Sequence, residues 1–236
     1  MTFRSSLRNL FPAWFRAVTR NIKVLEIDYN HFQSAYQKKC ITRGGSPIPW
    51  YTYPAIEYLS QLDFSEKVIF EYGCGYSTLF WSGRAKEVKC VEDNAAWADF
   101  IRSHRSPNVE IRFTNSKEEY VSEISRYAIN FDVIVIDGEH YRLKCAQIAP
   151  TLLNPGGLII LDNSDHYFRT AQILREANLL QVDMTGFGPI QGCTWTTSLF
   201  FDRAFNFRPV DNIQPHPGIG SADSSEQERL IHEGEI

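Results

Sequence analysis

The chain has 236 residues, 43% of them hydrophobic and 22% charged, a composition that gives enough apolar surface for one α/β domain with terminal extensions and argues against a mainly disordered chain. The formal charge of -4 is unevenly spread: five basic residues and no acid precede Glu26, whereas six acids face one base, Arg229, from Pro209 onward. A mildly acidic middle lacks the basic stripe of a nucleic-acid binder, and no run of about 18 apolar residues exists to span a bilayer.

Phe3, Leu7, Leu10, Phe11, Trp14, Phe15, Val18 and Ile22 recur at helical spacing, with Pro12 splitting the segment into two short helices. Three readings suit this face: a cap on the domain or a contact with a second subunit, an interfacial segment on an anionic membrane through residues 1–23, or a transit peptide. A polar helix follows over Tyr29 to Lys39. Gly44-Gly45-Ser46-Pro47-Ile48-Pro49 is loop, and Pro54 opens a helix over Ala55 to Leu62.

From Val68 onward short β runs alternate with helical stretches. Strands are predicted at Val68 to Tyr72, Glu87 to Val91, Val109 to Phe113, Phe131 to Ile136 and Leu158 to Leu161. Helices are predicted at Thr78 to Ser82, Asn94 to His104, Lys117 to Tyr127 and Tyr141 to Leu153, with Asn154-Pro155-Gly156-Gly157 as a turn. Such alternation implies right-handed βαβ units in a parallel sheet covered on both faces. Leu179 to Met184 and Ser198 to Asp202 have no helix between them and suit an antiparallel pair at one edge. The reading divides the chain at 1–52, a basic amphipathic and helical extension; 53–208, an α/β domain; and 209–236, an acidic flexible tail. Five cysteines, odd in number and without a C-x-x-C pair, fit a reducing, cytoplasmic compartment.

The chemistry begins at Glu71-Tyr72-Gly73-Cys74-Gly75-Tyr76-Ser77-Thr78, where glycines end the first strand and leave room for a ligand near a helix N-terminus. Glu92 ends the second strand seventeen residues past Gly75, placed to accept ribose hydroxyls. No G-K-[ST] follows, and Glu71 would repel a pyrophosphate but suits a cation. On these residues the chain resembles the class I S-adenosylmethionine-dependent methyltransferases over roughly Tyr53 to Phe201. The resemblance implies a Rossmann-like sheet of seven strands with the last one inserted antiparallel. It also implies that Glu71, Gly73, Gly75, Tyr76, Ser77 and Glu92 bind S-adenosyl-L-methionine, and that Asn115 and Ser116 lie by its adenine. Ser77 replaces a third small glycine often seen there.

A second constellation lies in Ile136-Asp137-Gly138-Glu139-His140 and Leu161-Asp162-Asn163, each acid following an apolar strand. Adjacent parallel strands would bring Asp137 and Asp162 to one crevice, and two carboxylates with the Asn163 amide oxygen suit Mg²⁺. This pairing resembles metal-dependent O-methyltransferases of the catechol type, and Asp-Gly-x-His looks closer to macrocin-type sugar O-methyltransferases. The resemblance implies Asp137 beside both cofactor and metal, His140 as general base, and a small-molecule or glycan hydroxyl as substrate. The bland alternatives are that Asp162 and Asn163 cap a nearby helix and that His140 is structural, with His166 a rival base. Trp195, in a glycine-rich loop, is a candidate for stacking on a sugar. Assembly into a homo-oligomer is compatible with all of this.

Overall fold

The computed structural model describes residues 11–221. The predicted positions Phe3, Leu7 and Leu10 and the acids from Asp223 onward lie outside the described residues. Helices run over α1 (Ala13–Lys23), α2 (His31–Gln37), α3 (Tyr53–Ser60), α4 (Tyr76–Ser82), α5 (Ala95–His104), α6 (Lys117–Ser122), α7 (Arg142–Ile148) and α8 (Phe168–Glu176). Strands run over β1 (Val68–Tyr72), β2 (Glu87–Glu92), β3 (Val109–Phe113), β4 (Phe131–Ile136), β5 (Leu153–Leu161), β6 (Leu180–Gly186) and β7 (Trp195–Phe201).

The strands form one sheet in the order β3-β2-β1-β4-β5-β7-β6. All neighbours from β3 to β5 pair parallel, whereas β7 pairs antiparallel with both β5 and β6. That is the inserted antiparallel strand the resemblance implies. The order reverses at β1, where connections leave in both directions, so the carboxyl ends of β1 and β4 open a crevice at the switch point.

Alternation along the strands divides the core. In β1, Ile69 joins the apolar layer holding Tyr51, Leu59 and Trp81, while Phe70 and Tyr72 join the opposite layer with Tyr120, Cys145 and Leu174. Glu71 shares the face of Ile69, so its carboxylate enters the layer that holds Tyr51 and Trp81.

Several boundaries differ from the sequence reading. Asn154 to Gly157 is an irregularity inside β5, because the pairing jumps from Phe131↔Leu153 to Val133↔Leu158. The helix expected near Asp162 and Asn163 is α8, which starts at Phe168 with Tyr167 as its N-cap, so neither Asp162 nor Asn163 caps it. The packed body also begins before residue 53: Cys40, Ile48 and Tyr51 are core residues, and Thr52 N–H donates to Thr197 Oγ1 at 3.0 Å. The stretch after Pro209 is seated as far as it is described. Leu62 bridges Pro209, and His216 N–H donates to Gln61 Oε1 at 2.9 Å.

Candidate active site

The glycine loop is shaped by close backbone approach. Gly73 has φ +87, and a Cβ there would lie 2.7 Å from the backbone of Gly138, so the loops after β1 and β4 touch as only glycines allow. Gly75 N–H donates to Thr78 Oγ1 at 3.0 Å, and that hydroxyl donates to Glu71 Oε2 at 2.5 Å. Tyr76 and Ser77 then open α4, with Ser77 buried and Tyr76 packed on Phe100.

Glu71 is fully buried, and its Oε1 has no hydrogen-bond partner. Burial pushes its acid up to about 8, against the pull of neighbouring hydroxyls. Tyr51 Oη and Trp81 Nε1, on the same face, also lack partners. Tyr51 lies near enough to Glu71 and Asp137 that their charges add to the burial that raises its phenol. Sequence reasoning passed over Tyr51, which stands in a segment read as an extension.

Glu92 anchors the second side. Its Oε2 accepts from Cys74 N–H at 2.7 Å, and its Oε1 accepts from Asn94 N–H at 2.7 Å and Asp93 N–H at 3.0 Å. Burial still leaves its acid raised. Ser116 uses its hydroxyl as the N-cap of α6, accepting from Glu119 N–H at 3.3 Å, and Asn115 is exposed beside it at the end of β3.

The expected metal ligands are arranged otherwise. Arg142, buried at the start of α7, donates Nε to Gly138 O at 2.7 Å, Nη1 to Asp162 O, and Nη2 to Asp137 O at 2.9 Å, Asp137 Oδ1 at 3.1 Å and Asn163 Oδ1 at 3.2 Å. Its guanidinium also lies 4.4 Å from the ring centre of Tyr167. A planar five-donor cation therefore binds two of the three side chains chosen for Mg²⁺, Asp137 and Asn163. The Asp162 carboxylate is directed elsewhere, with Oδ1 accepting from Thr197 Oγ1 at 2.5 Å and Trp195 Nε1 at 3.1 Å. Burial raises its acid well above the carboxylate range, and the Asp137 charge adds to this. Among the described residues, no three His, Cys, Asp or Glu side chains come together to hold a metal ion. Asp137, Asp162 and Asn163 thus do not fit a metal, and the expected ion is corrected to the Arg142 guanidinium. Trp195 is corrected too: it is buried in β7 as a donor to Asp162 and offers no open face to a sugar.

Burial also raises Asp137, to about 6, although Arg142 pulls the other way. His140 is exposed on the next loop, and its Nδ1 lies 2.8 Å from Asp93 Oδ2. Since a carboxylate only accepts, Nδ1 carries the hydrogen, and in the neutral imidazole the lone pair is then on Nε2. Strands β2 and β4 flank β1, so this bond crosses above the carboxyl end of β1. His166 is a surface side chain whose Nε2 lies 3.6 Å from its neighbour Asp165. An open cleft lined by Arg175, Gln181, Asp183 and Arg203 lies along β6 and shares no residue with the crevice.

No protein-family model and no curated protein matches this chain. Among solved structures, a precorrin-6y C5,15-methyltransferase from Geobacter metallireducens superposes with a TM-score of 0.52 at 12% identity, covering 63% of this chain and 87% of that one. The chain shares the Rossmann-like fold of that methyltransferase. The N-methyltransferase NodS from Bradyrhizobium japonicum aligns over 61% of this chain and 90% of its own at 18% identity, with a TM-score of 0.45. An O-methyltransferase family protein from Burkholderia thailandensis aligns over 58% and 51% at 16% identity, with a TM-score of 0.41.

A cationic nucleoside cofactor fits the residues at the switch point of this fold. Glu71 offers a buried oxygen without a partner, and Glu92 Oε2 accepts one hydrogen bond and retains capacity for ribose hydroxyls.

Proposed function

We propose that this protein is an S-adenosylmethionine-dependent methyltransferase that methylates a hydroxyl of a small molecule or glycan, in the cytoplasm and without a divalent cation. The observation that carries the reading is the orphaned carboxylate oxygen of Glu71 under the glycine loop, at the switch point of a methyltransferase fold. Burial disfavours the charge on this acid, raising it to about 8, and a cation beside it would stabilise its ionised form.

Bound there, the cofactor supplies a methyl group on a cationic sulfur. Gly73 and Gly75 let the backbone close on it, with Tyr76 and Ser77 at the start of α4. Glu92 receives the ribose, Asn115 and Ser116 stand at the adenine end, and Asp137 adds negative charge beside Glu71. His140 is the general base: with Nδ1–H tied to Asp93, Nε2 is free to take the acceptor's proton as the new bond forms. Arg142 holds the loops after β4 and β5 together, so the crevice is formed before substrate arrives. The choice of a sugar-like hydroxyl rests on the Asp137-Gly138-Glu139-His140 pattern.

Calorimetric titration with S-adenosylmethionine and with S-adenosylhomocysteine tests the cofactor. Both should bind, each stabilising the fold by about 2.7 kcal/mol at a hundred times its dissociation constant, and Glu92→Ala should weaken both. No heat and no thermal shift with either compound would overturn the reading. Methyl transfer to a panel of glycosides and catechols then tests the acceptor class.

A further inference from the structure

Helix α1 buries none of its residues. At about 100° per residue, Trp14, Phe15, Val18 and Ile22 fall within one sector about 100° wide, with Phe11 stacked on Phe15 just before the helix, while Arg20 and Lys23 lie on the opposite face. The apolar residues are open to solvent, Trp14 at 67% and Phe11 at 53%, and Phe15 stacks on Phe11 and meets Trp14 edge-on. The expectation that this face caps the domain is not met. The helix leaves the body through Val24–Asp28, where Val24 packs at Gly220 and Tyr29 donates to Glu57. A solvated helix would have no reason to carry Trp and two Phe on one side.

The geometry points to an anionic bilayer surface as the occupant of this face, with Phe11, Trp14, Phe15, Val18 and Ile22 in the headgroup and acyl boundary and Arg20 and Lys23, on the polar face, reaching lipid phosphates. Charge decides among occupants. The helix has no acid, and none precedes Glu26 in the chain, where Arg4 and Arg8 add further cations. A second copy would bring another acid-free, net cationic helix alongside this one, whereas an anionic leaflet complements its charge. Trp and Phe beside cations suit the interface plane, and at 11 residues the helix lies on a membrane rather than across it. Among the described residues no helix is long and apolar enough to cross one. The inference is independent of the reaction proposed above.

Flotation of the full chain with vesicles tests it, using phosphatidylcholine alone and phosphatidylcholine with phosphatidylglycerol at low and high salt. The protein should float with the anionic vesicles only, and high salt should release it. Arg20→Glu with Lys23→Glu should weaken partitioning at least about 25-fold, since each surface cation contributes roughly fivefold. Trp14→Ser with Phe15→Ser should abolish it while the melting curve stays unchanged, because neither side chain is part of the core. Failure to float with anionic vesicles, or equal flotation with both kinds, would overturn the inference. So would a dimer, measured by light scattering, that Trp14→Ser with Phe15→Ser dissolves while vesicles leave the protein unbound.

Discussion

The Arg142 guanidinium reaches Asp137 Oδ1 at 3.1 Å from the first turn of α7, and with the same nitrogen it reaches Asn163 Oδ1 at 3.2 Å. Its other nitrogens take the carbonyls of Gly138 and Asp162. One buried cation thereby joins the ends of β4 and β5, and its removal would strand a carboxylate, an amide oxygen and three backbone carbonyls.

Arg142→Met should therefore destabilise the fold by about 3–5 kcal/mol, the usual cost of removing one partner of a buried ion pair. Arg142→Lys restores the charge but not the planar fork, and should recover only part of the loss. Urea unfolding of the three proteins measures this. A cost under about 1 kcal/mol for Arg142→Met would mean that the guanidinium is peripheral to the site.

The same contact sets the response to metal. With Arg142 on their oxygens, Asp137 and Asn163 have no need of a second cation, and Asp162 is turned toward Thr197 and Trp195. Excess chelator should leave methyl transfer unchanged, and millimolar Mg²⁺ should produce no thermal shift, since a ligand stabilises only through preferential binding to the folded state. Activity lost on chelation and restored by Mg²⁺ would reverse this assignment.

At Gly73, φ is +87 and an added Cβ would meet the Gly138 backbone at 2.7 Å. Gly73→Ala combines left-handed strain with a clash against backbone that has no side chain to swing away. We expect a loss of at least about 1–3 kcal/mol, read as a lowered Tm, together with weaker cofactor binding. An alanine tolerated in both measurements would show that the two loops can separate at no cost.

The sheet was legible because its signals are local: apolar runs such as Phe131 to Ile136, glycines at their ends and helices between them. The acids Glu71, Glu92, Asp137 and Asp162 were legible as strand ends. Their chemistry was less so, since whether a carboxylate binds a metal or an internal donor depends on residues remote in sequence. Thr197 and Trp195 reach Asp162 from 35 and 33 positions away. Arg142 lay only five residues past Asp137, and a basic residue just beyond that acidic motif was an available signal that a cation was already supplied. Trp195 was misread because the start of β7 was placed three residues late, which put a core side chain into a loop.

His140 and Asp93 come from loops 47 positions apart and meet at 2.8 Å. If His140 takes the acceptor proton, His140→Ala should lower kcat by roughly 10²–10⁴-fold, with cofactor affinity nearly intact. Asp93→Asn keeps the imidazole but frees its tautomer, and should cost less. His140 is exposed, so the alanine variant should change stability by no more than about 0.5 kcal/mol. An unchanged kcat for His140→Ala would remove it as the base and redirect attention to Asp137.

Glu71 gives the site a pH dependence whose sign is fixed. Its folded pKa is raised to about 8 by burial, above the ordinary carboxylate value of 4.5, so the folded state holds a proton that the unfolded chain releases. Its contribution to stability is fully present below about pH 4.5 and is lost as pH rises to about 8, at up to roughly 1.4 kcal/mol per pH unit. Asp137, Asp162 and Glu92 are raised too and act in the same direction, so Glu71→Gln should flatten only part of the decline. The stability advantage of Glu71→Gln over the native chain should widen between pH 5 and pH 8 in urea titrations. Binding of a cationic cofactor favours the ionised carboxylate, so it should release protons near pH 7 and strengthen as pH rises toward 8. Calorimetry in two buffers of different ionisation enthalpy reads that release directly. Proton uptake, or release undiminished in Glu71→Gln, would separate this carboxylate from the cofactor's charge.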